Sequence, residues 1–205
     1  MHIKYPLFFS LLFFISCQVY AQQYANEIAK HRKQYKLEFL TDEHSPLTAK
    51  DTGKLNFYPA NPAYLVKANF TSIQDSIGFD MQTHNGVIKK YFVYGKVNFT
   101  LSKKEHVLFI YQSQSLKNKK EFEDYLFIPF TDETNNTETF GGGRYLDFRM
   151  KDIFNNTLLI DFNKCYNPYC AYKEGYSCPI PPRENDIKIS IYAGEKNFDP
   201  KKNKH

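Results

Sequence analysis

The sequence predicts a mainly β domain, an antiparallel barrel or sandwich of about eight or nine strands preceded by one N-terminal helix. Three observations carry that prediction. Apolar spacing is helical before residue 44 and alternates afterwards. No stretch between the later runs is periodic enough to be a crossover helix, so successive strands must pair antiparallel. No repeat, low-complexity linker or composition break divides the chain, which makes one domain.

The first 21 residues, "MHIKYPLFFSLLFFISCQVYA", read as a signal peptide (1–21) outside the fold. His2 and Lys4 form a short basic region, an apolar run extends from Leu7 to Ile15, and Val19 and Ala21 are small residues at −3 and −1 of a cleavage site. The run is far shorter than the roughly 20 residues of a membrane-spanning helix. Cys17 in "FISC" offers lipoprotein processing as the alternative. The expected location is therefore periplasmic or secreted, or the outer membrane if the chain is lipidated at Cys17. Membrane partnership depends on that lipid alone.

Cleavage leaves 184 residues, enough for a proper core. In the helix (22–44), "YANEIAKHRKQYKLEFL" places Tyr24, Ile28, Tyr35 and Phe39 on one face. The β domain (45–196) then begins with "LNFYPANPAYLVKANF", two extended pieces around a Pro-rich corner. "GVIKKYFVYGKVNFTLS" is a strand with a turn or bulge at Gly95. "HVLFIYQSQ", "DYLFIPF", "RYLDFRM" and "NTLLIDFN" follow. "IKISIYA" alternates almost perfectly, with Ile187, Ile189 and Ile191 on one face, and is expected to be the last strand. The remainder (197–205) reads as a basic, disordered tail. The stretch "KNFDPKKNKH" from Lys196 onward holds much of the net charge of +5. Acids and bases alternate along the rest, which excludes a nucleic-acid-binding face.

Two segments are chemically dense. In "NKCYNPYCAYKEGYSCPIPPREN" (163–185), Cys165, Cys170 and Cys178 lack the paired spacing and the histidines of a zinc site, so no metal is expected. A disulfide is expected instead in an exported protein. Cys170–Cys178 is preferred because Gly175 can turn the chain between them, and Cys165–Cys170 is the rival. The spare thiol reads as a small buried hydrophobe and not a nucleophile, since no histidine is near it in sequence. A calcium loop at Asp161, Asn163 and Asn167 fails the EF-hand spacing. In "FGGGRYLDF" (140–148), three glycines let the backbone approach a ligand and Arg144 could hold an anion; a Gly-rich turn between strands is the plainer reading.

These segments also carry a resemblance. "YPANPAY", "YQS", "LFIPFTDETNNTETFGGGRYLDF", "DFNKCYNPYCAYKEGYSCPIPPREN" and "IYAGEK" together resemble the bacterial domain of unknown function 1684 family, over about Ser45–Lys196. The resemblance implies importance for Glu138, Gly142, Gly143, Arg144, Tyr145, Asp147, Asp161, Asn163, Tyr166, Asn167, Pro168, Cys170, Tyr172, Cys178, Pro179, Pro182, Glu184 and Asn185. Asn135, Asn136 and Phe140 stand where Ser, Gly and Tyr are usual, and Cys165 stands where a small residue is usual. The resemblance implies no reaction and no cofactor.

Charged and amide side chains beside glycines and prolines at strand ends must either satisfy one another or line a pocket. The ligand-binding candidates are Glu138, Arg144, Tyr145, Asp147, Asp161, Asn163, Tyr166, Asn167, Tyr172, Glu184 and Asn185. The expected function is a small-ligand-binding or interaction module whose partner is a small molecule or an envelope component. The alternatives are a hydrolase using paired carboxylates among Glu138, Asp147, Asp161 and Glu184, and a purely structural envelope protein.

Overall fold

The computed structural model describes residues 6–198, with side chains from Val19 onward. The expected signal segment and its Cys17 alternative fall largely outside the residues so described. Helix α1 (Pro6–Thr41) contains the expected helical stretch. Its buried face begins at Tyr24 and continues through Ile28 to Phe39, with Tyr35 half-buried between them. Those positions are spaced by four, seven and four residues, about one and two helical turns, which keeps them on one face. Val19 and Tyr20 are exposed. Among the described residues no helix is long and apolar enough to cross a membrane.

Eight strands follow: β1 (Leu65–Ser72), β2 (Phe79–Met81), β3 (Lys89–Leu101), β4 (Lys104–Ser113), β5 (Tyr125–Asp132), β6 (Arg144–Arg149), β7 (Thr157–Asp161) and β8 (Asp186–Ile187). The long strands lie in the order β6-β5-β4-β3-β1-β7, with β2 beside β3 and β8 beside β5. Every pairing is antiparallel except the two-residue contact of β8 with β5. The architecture is one sheet curled into a half-barrel, not a sandwich. Its interior is filled by Val97, Leu108, Ile110, Leu126, Ile128, Leu158 and Ile160, all sealed from solvent. Each such side chain contributes about 1.5–3 kcal/mol by leaving water.

The curl nearly brings the two edge strands together. Just past β7, the Tyr166 N–H donates to the Tyr145 carbonyl (3.1 Å) and the Tyr145 N–H donates back (2.9 Å). This one bridge joins β6 to the chain leaving β7. The remainder of the seam is open.

Three local features come directly from residue chemistry. The β3–β4 register shifts between Val93 and Gly95, the expected bulge. Any side chain at Gly95 would meet the Phe70 ring. Between β4 and β5, Pro129 cannot donate to the ladder. The Asn185 amide fills the gap: it accepts from the Phe109 N–H (2.7 Å) and donates to the Phe109 and Pro129 carbonyls (2.9 and 2.8 Å).

The third feature corrects an expectation. "IKISIYA" keeps its alternation, with Ile187, Ile189, Ile191 and Ala193 in the core, but only Asp186 and Ile187 pair as strand. Beyond them the backbone is held by side chains together with isolated main-chain bonds, such as those from the Glu133 N–H to the Ile189 carbonyl and from the Tyr58 N–H to the Gly194 carbonyl. Arg144 donates to the carbonyls of Ile191, Ala193 and Glu195, every second residue of an extended chain. Asp132 accepts from the Ile191 N–H. The guanidinium and carboxylate stand where a neighbouring strand would be. Order also extends past residue 196: the Asn197 N–H donates to the Glu138 carbonyl, and Phe198 packs edge-on to Tyr172.

Candidate functional site

Five of the candidate residues are committed to the interior. Arg144 is fully buried and pairs with Asp132 at 2.6 Å. Its two terminal nitrogens donate to Asp132 and three carbonyls, and it lines neither cavity, which corrects the anion-holding reading. Asn163 accepts from the Asn61 N–H (2.8 Å) and donates to the Asn61 carbonyl, Tyr24 and Asp161, tying α1 to the chain after β7. Asn185 bridges β4 and β5. Asn167 gives its N–H to Glu195 (2.9 Å) and its side-chain amide to the Lys196 carbonyl. Tyr172 joins the same cluster, its hydroxyl 2.8 Å from both Glu195 oxygens and from the Tyr35 hydroxyl. Burial pushes the Glu195 carboxyl up to about 7, against the pull of those hydrogen bonds.

Glu138 and Glu184 are exposed and stand apart from any shared cavity. Glu138 accepts from Tyr58 at 3.1 Å and lies 3.6 Å from Lys196. Glu184 accepts from Tyr111 at 3.1 Å.

The other candidates converge. Tyr145, Asp147, Asp161 and Tyr166 line a cleft of about 810 Å³ along the open seam. Strand β6 contributes residues 145–148 and β7 contributes Leu159 and Asp161. Helix α1 supplies His31, Tyr35, Glu38 and Phe39, and the 166–179 segment supplies Tyr169, Tyr176 and Cys178. The cleft therefore exists because the barrel does not close and the helix lies over the gap.

Asp147 is its most distinctive group. Tyr125 and Tyr166 each donate a phenol hydroxyl to the same oxygen, Oδ1, at 2.7 Å. Oδ2 takes no hydrogen bond from the described residues. The residue is solvent-exposed through the cleft, although protein surrounds its carboxylate on the other sides. Loss of bulk water raises its pKa, and the two phenols oppose that rise. Tyr125 and Tyr166 are themselves held well above the usual phenol range by burial and by the Asp147 charge. Asp161, by contrast, is nearly buried: its Oδ1 accepts from Tyr24 and Asn163, and Lys164 stands 3.7 Å from Oδ2.

The family model described as protein of unknown function (DUF1684) matches residues 51–196. The chain belongs to this family. As a DUF1684 member it also shares its fold with a solved structure, the solution NMR structure of an uncharacterized protein from gene locus rrnAC0354 of Haloarcula marismortui. The two are 24% identical, the match covers 85% of this chain and 95% of the other, and the TM-score is 0.65. No curated protein matches.

The cysteines of this DUF1684 domain depart from expectation. Cys165, Cys170 and Cys178 are all free thiols, so the expected Cys170–Cys178 disulfide is not formed. The two are nevertheless adjacent, held by hydrogen bonds in place of a covalent bond. The Cys170 N–H donates to the Cys178 sulfur at 3.2 Å, and the Cys170 thiol hydrogen bond lowers the Cys178 thiol to about 7. Cys165 is buried, and burial pushes its thiol up to about 12. Among the described residues no three His, Cys, Asp or Glu side chains group as a metal site requires.

Sequence reasoning missed Tyr125, Tyr35 and Glu195 as parts of these clusters. Glu195 did carry a signal, sitting after Gly194 in "IYAGEK". Gly194 has φ +74°, and a side chain there would collide with the Cys165 sulfur. Tyr125 lay in a plain strand pattern and gave none.

Proposed function

We propose that this protein is an exported small-ligand-binding module and that the seam cleft is its site. The observation that carries the reading is the Asp147 carboxylate, fixed through one oxygen by Tyr125 and Tyr166 and presenting the other to an open cleft of about 810 Å³. Ligand sites are typically concave, largely apolar and provided with a few fixed polar groups. Tyr35, Phe39, Tyr145, Phe148, Tyr166 and Tyr169 supply the apolar lining here. Export is supported by the basic start, the apolar run and the small residues at 19 and 21. The buried face of α1 begins only at Tyr24, so cleavage after Ala21 would leave the core contacts intact.

A hydrolase reading has less behind it. Glu138 and Glu184 stand outside the cleft, and Asp161 is engaged by Tyr24, Asn163 and Lys164. No pair among the four acids faces the cavity with both carboxylates unengaged.

The test is a ligand-observed NMR fragment screen on the full chain and on Leu159→Trp. Leu159 lines the cleft and is 60% exposed, so a larger ring fills space at little cost to the fold. Saturable binding lost in L159W, with an unchanged melting temperature, supports the reading. No binding, or binding indifferent to the tryptophan, favours the purely structural role.

A further inference from the structure

The protein as a whole is basic, with a net charge of +5, but its cleft is not. Glu38, Asp147, Asp152 and Asp161 line it against Lys89 and Lys164, a formal balance of −2. His31 also lines it, and burial together with Lys164 lowers its pKa and favours the neutral ring. Both lysines are already engaged. Lys89 Nζ donates to the Ser177 carbonyl at 2.6 Å, and Lys164 stands beside Asp161.

Asp147 has no such partner. Among the described residues no cationic group lies within ion-pair distance of it, and the nearby Arg149 is paired with Asp124 at 2.6 Å. Its Oδ1 is fully used by two phenols and its Oδ2 is open to the cleft. The surrounding surface is aromatic, and aromatic faces attract cations and favour them over anions. An uncompensated carboxylate set among tyrosines is complementary to a positive N–H donor on an apolar body.

We infer that the cleft binds an organic ammonium, a protonated amine on an apolar or aromatic body, with Asp147 Oδ2 as its counter-ion. This rests on the ligand-binding reading above and narrows it to one chemical class. Tyr125 and Tyr166 are then positioning residues: they fix the carboxylate so that one oxygen faces the ligand. The bound ammonium lies against the open oxygen and the ring faces, and its apolar body follows the seam toward Leu159.

The test compares three probes of similar size on the full chain: 2-phenylethylamine, 2-phenylethanol and 3-phenylpropionate, titrated by NMR or calorimetry. The amine is expected to bind at least about tenfold more tightly than either of the others, the effect of one charge-assisted hydrogen bond. Asp147→Asn should remove that advantage, so that the amine and the alcohol bind alike. Should D147N not fold, ionic strength serves instead: raising salt should weaken the amine and not the alcohol. Equal or tighter binding of the alcohol or the acid overturns the inference, as does an amine affinity indifferent to D147N. If library fragments bind in a manner blocked by L159W while the amine has no preference, the ammonium assignment fails and the cleft stands. If nothing binds, both fail.

Discussion

Glu195 is a buried acid surrounded by the hydroxyls of Tyr35 and Tyr172 and the Asn167 N–H, and its carboxyl is raised to about 7. The folded state therefore holds a proton that the unfolded chain releases near 4.5. The associated stability is fully present below about pH 4.5 and is lost as pH rises through 7. A shift of this size corresponds to about 3 kcal/mol. Denaturant unfolding of the native chain and of Glu195→Gln should diverge by about that amount between pH 4.5 and 8, the native chain losing stability faster. Parallel curves would show that Glu195 titrates normally. The thiols offer a second residue-scale prediction. Iodoacetamide should modify Cys178, which lines the cleft and whose thiol is lowered by the neighbouring Cys170, faster than Cys165, which is sealed in the core and pushed up to about 12. Equal labelling of both by mass spectrometry would contradict that. None of these shifts was legible in the sequence, because burial and distant partners set them. Residue types were legible in part: Arg144, Asn163, Asn167 and Asn185 are buried and hydrogen-bonded, as their desolvation cost demands.

At the scale of elements, the alternation of strands and the helical face of α1 could be read directly, since both depend on periodicity. The final segment could not be. Its apolar alternation is genuine, but alternation reports which side chains are buried and not what pairs with the backbone. Arg144 and Asp132 take that role from 47 and 59 residues away. Their pair is fully buried, so removing one partner leaves an uncompensated charge. Asp132→Ala is expected to cost about 3–5 kcal/mol in denaturant unfolding, and a loss under about 1 kcal/mol would mean the segment holds without it. Asn185 is the milder counterpart. Asn185→Ala strips the Phe109 N–H and carbonyl of partners beside Pro129 and should cost about 1–3 kcal/mol. Hydrogen exchange at Phe109 should accelerate selectively. An unchanged rate would mean that water replaces the amide.

For the whole molecule, mass spectrometry of the protein recovered from its cells would test processing: the prediction is a mature chain beginning at Gln22, and a diacylated Cys17 would overturn it. The half-barrel was legible as a class from its strands, but its seam was not, because closure depends on curvature summed over the sheet. The seam has a further consequence, one of solubility. Strands β6 and β7 are edges, and apart from the Tyr145–Tyr166 bridge their outward backbone groups have no neighbouring strand. Free edges invite pairing with other copies. Helix α1, whose Tyr35 and Phe39 lie along the same gap, shields them. Deprived of that helix, the remaining sheet would present two bare edges to other copies, and self-association in the manner of an unfinished sheet would follow.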